Sequence, residues 1–398
     1  MVNLMTSLTS RERMLRSFSF METDHLPCCF MSFAALRKRL EDNWFKVVET
    51  ELSMGLDSML FIPMASRSQR KEHPDLRGLP VKFHDQVTVK EWREEKPFGL
   101  DILYKEYSTP VGKLSTCVNL SDDWPHGDHI PFIDDYQIPR VIKPLITCRK
   151  DLEALSFLLM PPQKEDIKQF AREAADAHEF SNKHGILLSG GWGVGMDMAN
   201  WLCGMENLMV LSIEQPDFVT DLIEMIHQWN LKRMEVVLSA PVDLYFRRSW
   251  YEGRDFIPPK FYRDVILPRL AVEVNLAHEH GVKFGYICTS GTKPMLDIYL
   301  QSEIDVLVGV DPVQDPHAEL AYLRNKLGGK VSLWGGVSAA VTVEMGSETD
   351  VRQAVKQAIQ ALGPDGFILS PVDNITVDDP RTWQNIEYFV DEWKKLRA

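Results

Sequence analysis

The sequence predicts an α/β protein folded as a single (β/α)8 barrel of the TIM type, with a β-rich insertion between its second and third strands. Three observations predict it. Short apolar runs recur eight times along the chain, and most are continuous, as parallel strands covered on both faces require. Amphipathic runs of helical period lie between many of them. One long stretch, 80–145, breaks the alternation with extended patterns and a turn at Pro110-Val-Gly112.

In chain order the expected strands are Pro27–Met31, Ser58–Ile62, Ile186–Ser189, Val242–Phe246, Val282–Tyr286, Val306–Gly309, Ser332–Gly335 and Gly366–Ser370. The clearest expected helices are Pro216–Leu238, Pro259–Glu279, Glu319–Lys326 and Thr349–Leu362. In the last, Val351, Ala354, Val355, Ala358, Ile359 and Leu362 recur at helical spacing, and Gly363-Pro364 supplies the stop. Strands alternating with helices close into a barrel through right-handed crossovers. The stretch 80–145 is expected to roof the barrel mouth. It absorbs the excess length, so residues 1–398 are read as one enlarged barrel rather than two domains.

Composition agrees and excludes several classes. With 44% hydrophobic and 25% charged residues, 23 Gly and 23 Pro, the chain is neither disordered nor collagen-like. A formal charge of −13 argues against nucleic acid or an anionic membrane as partner, because both attract basic surfaces. The six cysteines lack the spacing of a secreted disulfide framework, which points to reduced thiols in the cytoplasm. The N-terminus turns charged before any apolar run long enough for a signal sequence, and no stretch approaches the ~18 apolar residues of a membrane span.

Barrel chemistry belongs at the C-terminal strand ends. The third expected strand leads into Ser189-Gly-Gly-Trp-Gly-Val-Gly195, either a tight βα turn or a loop cradling phosphate. Its neighbours Trp192, Met196, Met198 and Trp201 suit an apolar aromatic ligand better than a phosphate. The fourth ends in Arg247-Arg248-Ser249-Trp250. Adjacent residues of a strand point oppositely, so at most one arginine faces the pocket, where a guanidinium fits a carboxylate. The alternative is an ion pair with Glu252 or Asp255. On the fifth, Tyr286 and Cys288 are expected to share the pocket face, although a lone Cys also serves as a small buried hydrophobe. Trp334 ends the seventh strand. Ser370, Asp373 and Asn374 end the eighth, where an acid can act in binding or catalysis or form an Asx turn. His126 and His129 fall in a polar loop and read as solvated, and no C-x-x-C, H-E-x-x-H or P-loop is present.

Further runs carry a family resemblance: Arg11-Glu-Arg-Met-Leu, Gly204-Met-Glu-Asn-Leu, Ile257-Pro-Pro-Lys-Phe-Tyr, Ile266-Leu-Pro-Arg-Leu, His278-Glu-His-Gly-Val-Lys, Trp334-Gly-Gly-Val, Ala361-Leu-Gly-Pro-Asp-Gly and Asp373-Asn-Ile. In order and spacing the chain resembles the uroporphyrinogen decarboxylase-like barrels, and in character their corrinoid-linked methyltransferases. The decarboxylase carries two arginines after its first strand. Here that stretch is Met31-Ser-Phe-Ala-Ala-Leu36, which argues against a porphyrinogen substrate. The group's zinc methyltransferases use His-x-Cys and a second Cys; the matching positions here are Tyr286, Cys288 and Ser370, so one ligand of three remains.

The resemblance implies transfer of a methyl group from a small substrate, such as a methoxybenzoate, to the cob(I)amide of a partner corrinoid protein. Tyr286 is then the expected proton donor to the leaving phenolate, with Asp373 as orienter or alternate acid. A metal held in part by Cys288 is the other source of assistance. The resemblance also allows a homodimer. Two further readings are a lyase or decarboxylase of a non-porphyrin carboxylate and a binding barrel without catalysis.

Overall fold

The computed structural model describes residues 7–63, 74–76 and 79–398. The first six residues, part of the N-terminal stretch read above, lie outside them. The strands are β1 (Met59–Ile62), β2 (Thr88–Glu94), β3 (Asp101–Thr109), β4 (Gly112–Leu120), β5 (Val141–Lys143), β6 (Leu187–Val194), β7 (Leu244–Arg248), β8 (Lys283–Ile287), β9 (Val306–Val310), β10 (Ser332–Ser338) and β11 (Phe367–Val372). They form a curled seven-stranded sheet in the order β1-β6-β7-β8-β9-β10-β11 and a separate sheet in the order β2-β3-β4-β5. The recorded pairings of the first are parallel and those of the second antiparallel. The fold is therefore α/β, with the antiparallel sheet inserted between β1 and β6.

By compactness the chain divides into two units. One comprises Met1–Ile62, Ala174–Trp192 and Ala240–Ala398; the other comprises Pro63–Glu173 and Gly193–Ser239.

In the first unit the parallel strands β7, β9, β10 and β11 are buried throughout, which is why they read as unbroken apolar runs. The inner face is a cluster of Cys29, Leu187, Leu244, Phe246, Val306, Val308, Trp334 and Ile368, onto which Met14 and Phe18 of the helix Ser10–Phe18 also pack. That helix starts with a capping box between Thr9 and Glu12.

Two strand expectations change. Pro27–Met31 is reduced to isolated parallel bridges, Cys28 to Leu369 and Cys29 to Asp57. Pro27 has no N–H to give a ladder, and the Cys28 N–H donates at 2.9 Å to the Asp57 carboxylate instead. The glycine-rich run is strand rather than turn, since β6 continues to Val194. At Gly191, with φ of +130°, a Cβ would stand 2.5 Å from the Phe246 carbonyl oxygen. The glycine thus lets two backbones approach.

Glu51 lies on the helix Trp44–Met54, buried, and accepts a hydrogen bond from the Ser58 hydroxyl. Burial raises its pKa to about 8 from the ordinary 4.5, against the opposing effects of Ser58 and Arg37. Between those values the folded chain keeps a proton the unfolded chain has released, so this group's contribution to stability falls as pH rises from about 4.5 to 8. Glu51→Gln is expected to remove that decline and to leave the variant more stable than the parent at pH 8, by up to a few kcal/mol. Urea melts at pH 5 and pH 8 measure it.

In the second unit β3 and β4 join through Pro110-Val111, as the sequence predicts. Leu103, Val118, Trp124 and Ile130 form a core under this sheet. The histidines of the loop are half-buried and each lies beside a carboxylate rather than standing free in solvent. The Nδ1 of His129 lies 3.0 Å from Glu91, and the Nε2 of His126 lies 3.4 Å from Asp134. Fully buried Lys105 bonds Asp75 and donates at 2.6 Å to the Ile130 carbonyl, so a charge cluster draws His129 inward. Among the described residues no helix is long and apolar enough to cross a membrane.

Candidate functional site

Strand register decides which strand-end side chains share a face. Phe246 of β7 stands beside Gly285 of β8, and a Cβ on Gly285 would meet the Phe246 ring at 2.9 Å. Ile287 packs on the same inner cluster as Phe246 and Val308. Side chains alternate along a strand, so Arg248, paired with Ile287, also belongs to the inner face. Its guanidinium lies 5.1 Å from the ring of Trp192 and 5.4 Å from that of Trp250. Below it, Phe61 stacks on Phe246 with centroids 6.3 Å apart, and the ring of Trp192 meets Phe61 edge-on at 6.2 Å. The inner face thus sets the Arg248 guanidinium beside indole rings, above an aromatic floor that ends at Trp334, itself 5.9 Å from Phe246.

The same alternation turns Arg247 and Tyr286 to the opposite face, against the helices. The expectation that Tyr286 and Cys288 face the pocket is corrected on this point: they share a face, but it is the outer one. Arg247 is buried and donates to Glu252 at 2.7 Å and to Glu273 at 2.9 Å, Glu273 lying on the helix Leu267–Glu279. The Tyr286 hydroxyl donates to Glu252 at 2.6 Å and accepts from the Tyr262 hydroxyl at 2.9 Å. Tyr299 reaches the Cys288 sulfur at 3.5 Å. Burial, and next the charge of Glu252, push the Tyr286 pKa well above the ordinary tyrosine value, so this phenol stays protonated. Burial alone would lower the Arg247 pKa; Glu252 and Glu273 hold it above the usual arginine value.

At the other strand ends, Ser370 accepts the Met31 N–H at 2.8 Å, so it ties the Cys28–Cys29 segment to β11. The Oδ1 of Asn374 accepts from the Ser32 hydroxyl at 2.9 Å and the Ala34 N–H at 3.0 Å, a structural cap. Asp373 follows β11, half-buried, with φ of +70°. Met196, Met198 and Trp201 lie in the second unit on the buried helix Met196–Cys203, where the Trp201 indole N–H donates at 2.9 Å to Asp135.

One strand-end acid escaped sequence reading. Asp311 directly follows β9 and is buried. Its Oδ1 accepts from the N–H groups of Val313 and Gln314, while its Oδ2 reaches no hydrogen-bond geometry, although the Ser338 hydroxyl is near enough to bias it. Burial raises its pKa above the ordinary carboxylate value. The available signal was its place, an acid immediately after the run Val306-Leu-Val-Gly-Val.

Among the described residues no three His, Cys, Asp or Glu side chains group in a metal-binding arrangement. Cys288 faces Tyr299, Tyr286 stands where a histidine is needed, and Ser370 is spent on the Met31 amide. This donor set does not fit a three-ligand zinc.

Comparison with solved structures gives a methyltransferase from Methanosarcina mazei, 14% identical, covering 98% of this chain and 99% of that one with a TM-score of 0.58. It also gives a B12-independent methionine synthase from a Shewanella species, 9% identical over 93% and 97% of the two chains, TM-score 0.45. A D-psicose 3-epimerase from Clostridium cellulolyticum is 12% identical over 56% and 83%, TM-score 0.38. The first supports the fold; the other two are too distant to bear on it. Comparison with curated proteins by sequence finds no match. The family model for uroporphyrinogen decarboxylase (URO-D) matches residues 127–396, which is more than half of the sequence and includes every strand from β5 to β11, so the chain belongs to the uroporphyrinogen decarboxylase family.

Proposed function

We propose that this chain is a methyltransferase of the family that takes a methyl group from an aryl methyl ether bearing a ring carboxylate, such as a methoxybenzoate. The methyl acceptor is the cob(I)amide of a separate corrinoid protein in the cytoplasm. The observation that carries this reading is Arg248 set against Trp192 and Trp250 on the inner face, above Phe61 and Phe246. A guanidinium grips a carboxylate through two parallel hydrogen bonds, and indole faces hold an aromatic ring. The fold likeness to a protein described as a methyltransferase supports the same class.

In this reading the Cys28–Cys29 bridges to Asp57 and Leu369 supply the eighth staves of a closed (β/α)8 barrel, and the inner face is its lumen. The multiply charged porphyrinogen lacks countercharges here, since the segment after Cys29 is Phe30-Met31-Ser32-Phe33.

Breaking the methyl–oxygen bond leaves its electron pair on oxygen as a phenolate, which a carboxyl proton converts to a phenol. Asp311 is the donor best suited, because burial keeps it protonated to higher pH than an exposed carboxylate; Asp373 is the second candidate. Strand β9 is two removed from β7, or about 10 Å at ordinary strand spacing. A para-substituted benzoate is long enough to bridge most of that distance. Tyr286 and its partners act from behind β7 by fixing Arg247.

The test mixes purified protein with a reduced corrinoid protein and a panel of methoxybenzoates, following methylcobamide and phenol together. Formation of both from one donor is the expected result. No methylcobamide from any donor overturns it, and carbon dioxide release from a carboxylate without methyl transfer favours the lyase reading instead. Asp311→Asn is expected to lower kcat about 10²-fold with little change in KM. Unchanged kcat assigns the proton to another group.

A further inference from the structure

Left-handed backbone is costly for any residue with a side chain, and most of all for a bulky one. Among the described residues six non-glycine residues adopt it: Phe20, Glu41, Asp42, Trp192, Glu303 and Asp373. Phe20, Glu41, Asp42 and Glu303 come just after helices ending at Phe18, Arg39 and Gln301, where this conformation is a common way to end a helix. Asp373 comes just after β11, and a short polar side chain tolerates the conformation. Trp192, with φ of +65°, lies inside β6.

The sequence around it makes the choice of residue informative. The run is Gly190-Gly-Trp-Gly193, so on both sides the chain carries the residue that suits this backbone. At position 192 it carries the largest side chain instead, and that residue is the only one of β6 not buried. As scaffold, a glycine would serve the strand with less strain, so the backbone is held there for what the indole meets. The ring stands edge-on to Phe61 at 6.2 Å and lies 5.1 Å from the Arg248 guanidinium. Met31, Phe61 and Ile287 are likewise half-buried against the sealed cluster of Phe246, Val308 and Trp334. These half-buried apolar side chains mark where the inner face opens.

Resting on the reading of this face as a site for a carboxylate and a ring, we propose that Trp192 is its specificity-determining residue. The indole, held out by left-handed backbone, selects flat aromatic rings over saturated rings that carry the same carboxylate. Arg248 cannot make this distinction, because it meets the carboxylate alone. An arene meets the indole in offset-stacked or edge-to-face contact and gains affinity beyond the area it buries, whereas a puckered saturated ring gains only the area.

Equilibrium binding tests this, by titration calorimetry on the full chain without corrinoid. The probes are 4-methoxybenzoate and trans-4-methoxycyclohexanecarboxylate, which share charge and ether. The parent is expected to prefer the arene about three- to tenfold, Trp192→Gly and Trp192→Ala to lose that preference, and Trp192→Phe to keep part of it. Of the two small variants Trp192→Gly is expected to unfold at the higher temperature, since it alone relieves the backbone. A scaffold role for the indole would instead weaken both probes together. The proposal fails if the parent binds neither probe or both equally, if the preference survives in Trp192→Gly, or if Trp192→Ala is as stable as Trp192→Gly. The expected preference without any methylcobamide formation upholds the role of Trp192 and overturns the methyltransferase reading alone.

Discussion

Arg248→Met is expected to lower kcat/KM for carboxylated methoxyarenes by about 10²- to 10³-fold. Met keeps the length and apolar stem of the side chain, so the contacts with Trp192 and Trp250 persist in part. What goes is the charge. A carboxylate taken out of water against indole rings and left without its cation costs about 3–4 kcal/mol, and each 1.4 kcal/mol is tenfold. Arg248→Lys recovers only part of the loss, because an ammonium cannot meet both carboxylate oxygens in one plane. The decisive comparison uses a methoxyarene with no carboxylate. The parent is expected to turn it over poorly and the Met variant no worse, so the substitution erases the preference between the two substrates. An equal loss on both would assign Arg248 a role in the chemistry rather than in recognition. Unchanged kinetics on both would remove it from the site.

Much of the fold was legible because strands buried on both faces leave a simple trace. The runs at Val306 and Ser332 appear as strands where expected, and the helix Pro216–Leu238 matches in both bounds. What the trace does not carry is parity. A strand apolar on both faces gives no sign of which alternate set faces inward, so Tyr286 was assigned to the wrong side. The clue was indirect: Gly285 faces Phe246 because only a residue without a side chain fits under that ring, and this register fixes Tyr286 outward. The two adjacent arginines illustrate both halves of the problem. Opposite directions followed from their adjacency, but the choice between them required Glu273, twenty-six residues away on a helix. Trp192 and Trp250 were legible as strand-end residues, and both rings stand beside the Arg248 guanidinium. Met196, Met198 and Trp201 looked the same in sequence, yet they sit on a buried helix of the second unit. Asp311 was overlooked since an Asp-Pro pair after a strand reads as a turn, and burial of its second oxygen is a tertiary fact.

Arg247→Met should have the larger effect on stability, a loss of about 3–5 kcal/mol at neutral pH. The wild-type guanidinium stands between two carboxylates, Glu252 and Glu273, and all three side chains are almost fully shielded from water. Removing the cation leaves two buried acids with no countercharge, whereas replacing all three groups by neutral ones removes the problem with its cause. Hence R247M/E252Q/E273Q is expected to regain most of the stability, which a simple packing defect at position 247 would not allow. The pH dependence separates the explanations further. Two buried carboxylates without a countercharge destabilise the folded chain only while they are ionised, so the variant is expected to be closest to the parent in acid and to fall behind it as pH rises. Urea melts at pH 5 and pH 8 should therefore show a gap that widens with pH. A gap constant across that range would mean that the charges of Glu252 and Glu273 are not what Arg247 neutralises. The same variant reports on function, because Glu252 also receives the Tyr286 hydroxyl and leads the loop that follows Trp250. If Arg247 acts only by holding β7 in place, the folded fraction of the variant at pH 5 is expected to keep the substrate preference proposed for Arg248, with kcat and KM shifted together.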